Sequence, residues 1–373
     1  MRHLENIYFL GIKELWGLVR DPMLIFLIVF SFTFSTYSAG TAIPETLSKA
    51  PIAVIDEDHS QLSGRILSAL YPPLFVLSEI NQDQADVGMD NGIYTFVLDI
   101  PPSFQADVLA GRKPNMQLNI DATRMSQAFT GGGYIQQIVM GEVEAFTQRY
   151  QSVQRLPVDL AIRMRFNPNL TQSWFGSLMD IINNITMMAI ILTGTALIRE
   201  REHGTIEHLL AMPVTPAEIM ISKVWSMGLV VLLASTISLI LVVQGFIGVQ
   251  IDGSIPLFMV GVSLHLFATT AMGIFLATVA RNMSQFAMLL ILILMPLQML
   301  SGSSTPFEGM PLMVQMVMQF APTTHFVELA QGILYRGAGI EVVWKQFLTL
   351  TVIGSVLFFF SLARFRKTIS EMV

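Results

Sequence analysis

The sequence predicts a polytopic α-helical membrane protein: six transmembrane helices, an extracytoplasmic α/β domain inserted between the first and second, and a re-entrant hairpin between the fifth and sixth. Three observations carry this. Of the 373 residues, 53% are hydrophobic and only 13% charged, against roughly a quarter charged in soluble domains, and the mean hydropathy is +0.59. The apolar residues gather in windows that approach the roughly 20 residues needed to cross a bilayer core. Between the first two windows lies a long stretch rich in Asp, Glu, Arg and Lys. A net charge of −6 disfavours nucleic acid as a partner. The absence of cysteine removes disulfides, thiolate metal sites and a cysteine nucleophile.

The predicted spans lie near Met23–Ile43, Leu178–Ile198, Val224–Val249, Ile255–Ala280, Gln285–Gly302 and Phe347–Ala363. The first is read as an anchor rather than a cleaved leader, because a charged segment of this length is long for a signal sequence. Residues 1–22 place Leu4, Ile7, Tyr8, Ile12, Leu15 and Val19 near one face, with Glu5, Lys13 and Glu14 elsewhere. That is the pattern of a helix lying in the membrane interface, and Asp21-Pro22 marks a break before the first span. Arg2, Lys13, Arg20, Arg199, Arg201, Lys223, Arg281, Arg364, Arg366 and Lys367 all fall on one side if six spans alternate. The positive-inside bias then makes both termini cytoplasmic and the 44–172 insert external, which in a bacterium means the inner membrane and the periplasm.

Within the insert, strand-like runs at Ile52–Asp56, Leu74–Leu77, Tyr94–Leu98 and Met116–Ile120 alternate with helix-like runs near Gln61–Leu70 and Ser103–Gly111, the order of a small α/β sheet. Asp56, Glu57 and Asp58 follow a strand and precede a helix, where turn and capping duties account for them. Residues 126–153 read as one long polar helix interrupted at Gly131-Gly132-Gly133, either a hinge or a break between two helices, and Val158–Phe166 alternates like a strand.

The 173–373 segment holds the groups suited to mechanism. In the 199–223 loop, Thr215, Pro216 and Glu218 form a capping box that starts the third span's helix. A short helix of mixed charge ahead of it, clamped between two spans, is shaped to transmit force from a cytoplasmic partner; an ordinary solvated loop is the plainer alternative. Asp180, Asn183 and Asn184 share a face of the second span, which marks either a subunit interface or translocation path, or a wet surface position. His265 and Gln298 read as interhelical hydrogen-bonding groups. Pro306, Pro311 and Pro322 break residues 303–346 into pieces too short to cross, yet too apolar for open water, so they read as a hairpin whose backbone must be buried or line a cavity. Met313 and Met316 would line an adaptable path there or simply pack.

No G-x-x-x-x-G-K-[ST] occurs, so the chain holds no P-loop for ATP, and it carries no catalytic constellation. His203, Glu207 and His208 miss the spacing of an inverted zinc-protease motif by one residue.

The run Arg199 to Lys223, R-E-R-E-H-G-T-I-E-H-L-L-A-M-P-V-T-P-A-E-I-M-I-S-K, resembles the coupling region of type-2 ABC transporter permeases, a class of exporter subunits. The run Tyr94 to Phe104 and the segment Ser301 to Pro311 support the likeness, which spans essentially the whole chain. It implies an export permease energised by a separate cytoplasmic ATPase that carries the ATP and magnesium, with no cofactor on this chain. It implies that Glu202, Gly204, Thr205, Glu207, Leu210 and Pro213 sit at the ATPase contact. The implied partners are that ATPase, a second permease copy or a related permease, membrane lipid and a periplasmic adaptor protein. A membrane receptor or assembly factor whose external domain binds a protein or envelope polymer is the rival reading, and it predicts no bound ATPase.

Overall fold

The computed structural model describes residues 2–41, 49–121, 125–150, 172–204, 213–303, 305 and 307–370. The chain divides into two compact units, Pro44–Arg163 and the remainder on either side of it.

The Pro44–Arg163 unit is an α/β layer. Strands β1 (Ala50–Asp56), β2 (Phe75–Glu79), β3 (Phe96–Ile100) and β4 (Gln117–Ile120) form one sheet in the order β2-β1-β3-β4. β1 runs parallel to both neighbours, and β4 closes one edge antiparallel to β3. β1 is apolar on both faces because both are covered. Ile52 and Val54 join Phe75, Phe96, Leu98 and Phe146 on one side, whereas Ala53 and Ile55 meet Ala85 and Val97 on the other. The acidic run after β1 serves the turn and caps: Asp56 Oδ1 accepts from the Asp58 and His59 N–H groups, and Asp58 Oδ2 accepts from the Gln105 N–H.

The long helix Met125–Tyr150 runs unbroken through Gly131-Gly132-Gly133, so the triplet is not a break between two helices. Its first glycine serves close packing. A Cβ on Gly131 would lie 2.3 Å from Phe96 Cζ, while one on Gly133 would meet nothing within 4 Å. Residues 158–166, read above as a strand, lie outside the described residues.

In the other unit, among the described residues, five helices rather than six are long and apolar enough to cross a membrane: Pro22–Thr41, Trp174–Glu202, Pro216–Ile247, Ile255–Val279 and Ile340–Ile369. The expected fifth span is the shorter helix Met283–Met299, whose 17 residues rise about 25 Å against a hydrocarbon core of about 30 Å. The third and last long helices extend well past the charge-free windows that predicted them. Their extra turns carry Glu218, Lys223, Arg364 and Arg366, which a search for uncharged windows discards.

Residues 303–346, expected as one hairpin, hold a 3-10 turn at Phe307–Gly309, two α-helices of different character and, from Ile340 on, the start of the last long helix. Leu312–Met318 exposes Leu312, Met313, Met316 and Val317, whereas Pro322–Leu334 buries Phe326, Val327, Leu329, Ala330 and Ile333 in the core beside the second and fourth long apolar helices. Gly131→Ala should therefore destabilise the α/β unit by about 1–3 kcal/mol, because the new methyl overpacks a buried ring. Gly133→Ala should stabilise it by about 0.5–1 kcal/mol through helix propensity. Thermal unfolding of the two variants checks this, since a hinge would be stiffened by both.

Candidate functional site

The 205–212 segment, with Thr205, Glu207, His208 and Leu210, lies outside the described residues, but the structure fixes both of its flanks. Leu197, Ile198, Ile219, Ala280 and Phe365 share one buried cluster. The basic residues Arg199, Arg201, Lys223, Arg281, Arg364, Arg366 and Lys367 thus collect at one end of the helices.

Against that end packs the helix Arg2–Val19. Its contact with the Pro216–Ile247 helix is very close: a Cβ on Gly11 would sit 2.0 Å from Trp225 Cζ2, and the Trp225 indole N–H donates to the Ile7 carbonyl at 3.1 Å. Leu4, Tyr8, Phe9, Trp16 and Val19 point outward. Asp21 ends this segment and begins the next helix by accepting from the Met23 and Leu24 N–H groups at 3.0 and 3.1 Å, while also pairing with Arg199. Slight burial pushes the Asp21 carboxyl up, but those two N–H groups and the Arg199 guanidinium outweigh it and hold its pKa below the usual 3.8.

Four charges from three segments meet beneath this helix. The Lys223 ammonium, only 1% exposed, lies 2.8 Å from Glu14 Oε1 and 2.8 Å from Glu200 Oε2. Lys13 Nζ reaches Glu200 Oε1 at 2.7 Å. Burial pushes the Glu14 carboxyl up, opposed by the neighbouring Lys223 ammonium. The network joins Arg2–Val19 to the last turn before the 205–212 segment and to the second turn of the helix after it.

Each flank has a further tie. On the leading side, Arg201 Nη1 donates to the Ala277 and Ala280 carbonyls at 3.0 and 2.8 Å, and Glu202 Oε1 accepts from the Met283 N–H at 2.9 Å. Glu202 thereby caps the start of Met283–Met299, and Gly204 (φ +67°) turns the chain out of its helix in the left-handed region that glycine tolerates. On the trailing side, exposed Pro213 precedes the capping box, in which Thr215 Oγ1 accepts from the Glu218 N–H at 3.3 Å and Glu218 Oε2 accepts from the Thr215 N–H. Glu218 also meets His3 Nδ1 at 2.8 Å and accepts from Asn6 Nδ2 at 3.2 Å. Of the six contact residues implied by the resemblance, Glu202, Gly204 and Pro213 therefore belong to the described flanks.

The sequence reading missed Glu14, Glu200 and Lys223 as one group. Glu14 and Lys223 stood out only as polar-face and loop charges, and nothing in linear spacing pairs residues 14, 200 and 223.

Asp180 and Asn184 are turned toward the first long helix. Asp180 accepts from Thr36 Oγ1 at 3.0 Å, Ser35 Oγ at 3.1 Å and Asn184 Nδ2 at 2.7 Å, and Asn184 Nδ2 also donates to the Ser31 carbonyl at 2.8 Å. A π-helical turn at Ser31–Ser35 loosens the backbone there, as such turns do, and the Asn184 amide occupies the carbonyl. At Asn183 it is the backbone carbonyl that takes part, accepting from Gln298 Nε2 at 3.4 Å. His265 Nε2 meets Thr186 Oγ1 at 2.8 Å, and its ring stacks on Phe326 with centroids 4.1 Å apart. A cavity of about 880 Å³ opens near Phe175, Ser301, Phe320, Thr324, Glu328 and Arg336, at the opposite end of the helices from the basic cluster.

Long apolar helices with outward apolar faces and charge concentrated at one end define a polytopic helical membrane protein. Residues 22–363 match the family described as ABC-2 family transporter protein, and the chain belongs to that family of transport permeases. It is 62% identical to the inner membrane transport permease YhhJ of Escherichia coli (strain K12) over 373 residues, covering 100% of both chains. It is 24% identical over 364 residues to the probable multidrug ABC transporter permease YbhR of the same organism, covering 96% of this chain and 97% of that one. With the probable multidrug ABC transporter permease YbhS, also from that strain, it shares 25% over 365 residues, 94% of this chain and 93% of that one.

Asp21→Ala should cost about 1–2 kcal/mol at neutral pH, through the lost helix cap and a part-exposed ion pair. Because the folded carboxyl titrates below the unfolded one, this contribution is full above about pH 5 and fades as pH falls through the folded pKa. Thermal unfolding of both proteins across pH 3–7 should show the two curves converging only on the acid side.

Proposed function

We propose that this chain is the transmembrane subunit of an ATP-driven exporter in a bacterial inner membrane, acting as a dimer with a second copy or a related permease and two cytoplasmic ATPase subunits. The observation that carries the reading is the Glu14–Lys223–Glu200–Lys13 network. It ties both flanks of the 205–212 segment to the Arg2–Val19 helix, so that displacement of the segment is passed to three elements together. On this reading the segment is the coupling helix. Glu202, Gly204, Thr205, Glu207, Leu210 and Pro213 meet the ATPase, which holds the ATP and magnesium.

The remaining assignments belong to the same proposal. Met283–Met299 crosses as a sixth span, tilting little and relying on local thinning of the bilayer for its short length. Both termini are cytoplasmic, the 44–163 unit is periplasmic and able to meet an adaptor protein, and Arg2–Val19 lies in the cytoplasmic interface with Leu4, Tyr8, Phe9 and Trp16 toward lipid. The 303–346 hairpin lies at the outer leaflet. Its exposed Met313 and Met316 face lipid, the second permease or the path between the two, and the 880 Å³ cavity beside Phe320 and Thr324 receives substrate on its way out. Of the triplet, Asp180 and Asn184 are engaged with the first span, which leaves Asn183 as the candidate for the path or the subunit interface.

Purification of the tagged chain in mild detergent should retain a P-loop ATPase. Glu207→Lys, or deletion of Thr205–Met212, should release that ATPase and abolish the ATP turnover of the reconstituted complex, while the chain itself remains monodisperse. Failure to retain any P-loop protein, or retention and turnover unaffected by both changes, contradicts the proposal and favours a receptor or assembly role.

A further inference from the structure

The Pro44–Arg163 unit contains a cavity that the transport reading does not use. It lies between the Met125–Tyr150 helix and the β3–β4 edge of the sheet, is a groove of about 900 Å³ open to the surface, and has walls of Leu98, Phe104, Leu118, Ile135, Val139 and Val143. Its volume and largely apolar walls are those of a small-molecule site, which typically spans about 300–1,000 Å³ with a few polar groups fixing orientation.

The polar groups here sit at the rim. Arg112 and Lys113 line the cavity together. Arg112 is held by Asp107, whereas Lys113 is exposed and no carboxylate among the described residues pairs with it. The rim therefore carries one uncompensated positive charge beside an apolar interior. Asn115, Gln136 and Thr147 also line the cavity, but its walls are mostly apolar, so a sugar or nucleotide would leave most of its hydroxyls against valine, leucine and isoleucine, at a cost of about 1–3 kcal/mol for each group left unpaired. An acyl chain has no such groups, and an anionic head would meet the cation.

We propose that this cavity binds a single-chain anionic amphiphile, its acyl chain lying along the Met125–Tyr150 helix between Ile135 and Val143 and its carboxylate or phosphate at Lys113. The assignment holds whichever side of the membrane the unit occupies and whether or not the chain exports anything.

The test uses the full chain in phosphatidylcholine nanodiscs with a diazirine-bearing palmitic acid as the probe, and maps photolabelled peptides by mass spectrometry. Peptides within residues 98–147 should be labelled and protected by unlabelled palmitate but not by hexadecylamine, which has the same chain and the opposite charge. Lys113→Glu, at an exposed position that leaves the fold intact, should raise the half-saturating probe concentration about tenfold, a change of about 1.4 kcal/mol. Val139→Trp, which puts an indole across the middle of the groove where the chain would lie, should abolish labelling there while labelling of the membrane helices persists. Palmitate and monoacyl phosphatidylglycerol as competitors distinguish a fatty acid from a phosphate-headed lipid, and displacement by either meets the prediction. Absence of labelling in residues 98–147, labelling indifferent to both substitutions, or equal displacement by hexadecylamine overturns it.

Discussion

An ammonium group buried at the edge of an apolar helix costs several kcal/mol unless carboxylates meet it, and at Lys223 two of them do. Much of the arrangement at that end of the helices follows from this requirement. Glu14 can reach Lys223 only if the Arg2–Val19 helix lies tightly against the Pro216–Ile247 helix, which is why Gly11 faces Trp225 with no room for a side chain. Glu200 can reach it only if the helix ending at Glu202 keeps its register beside both. One cation thus fixes three segments that are far apart in sequence, and the 205–212 segment hangs between two of them.

The same constraint suits a part that moves as a unit. Arg201 and Glu202 extend the network to the connection between the Ile255–Val279 and Met283–Met299 helices through backbone carbonyls and one N–H. Glu218 extends it back to His3 and Asn6. Hydrogen bonds to fixed backbone groups and a buried ion network resist shear better than exposed side-chain pairs, which contribute about 0–1 kcal/mol each. Force applied at this end therefore has a stiff route into the helices, whereas the opposite end carries an open cavity and the exposed Leu312–Met318 helix.

Much of the architecture was legible in the sequence because hydropathy and turn chemistry are local. The long apolar windows, the Thr215–Glu218 capping box, the break at Asp21-Pro22 and the alternation of strand and helix in the inserted segment all depend on neighbours a few residues apart. The ends of the last span were less legible, since the turns bearing Lys345, Arg364 and Arg366 look like loop when charge is taken as a mark of exposure. The packing role of the glycine triplet was hidden for a related reason: Gly131 answers to Phe96 across the unit, and flanking sequence carries no trace of that ring. At the candidate site, the resemblance pointed to the stretch 199–223, but the charges that anchor the flanks of residues 205–212 come from residues 13, 14, 200 and 223, whose pairing only the fold specifies. Asp180 and Asn184 were correctly placed on one face, while the partner of that face, the π-turn at Ser31–Ser35, has no simple sequence signature.

The claim that this network binds the Arg2–Val19 helix to the flanks of the loop is tested most directly by a double-mutant cycle of Glu14→Gln and Lys223→Met, read as unfolding free energy in mixed micelles. Each single change leaves a buried charge short of a partner and should cost about 3–5 kcal/mol. The double variant should cost less than the sum of the two by about 2–3 kcal/mol. Losses that add to within about 0.5 kcal/mol, as for sites that do not touch, would contradict the account.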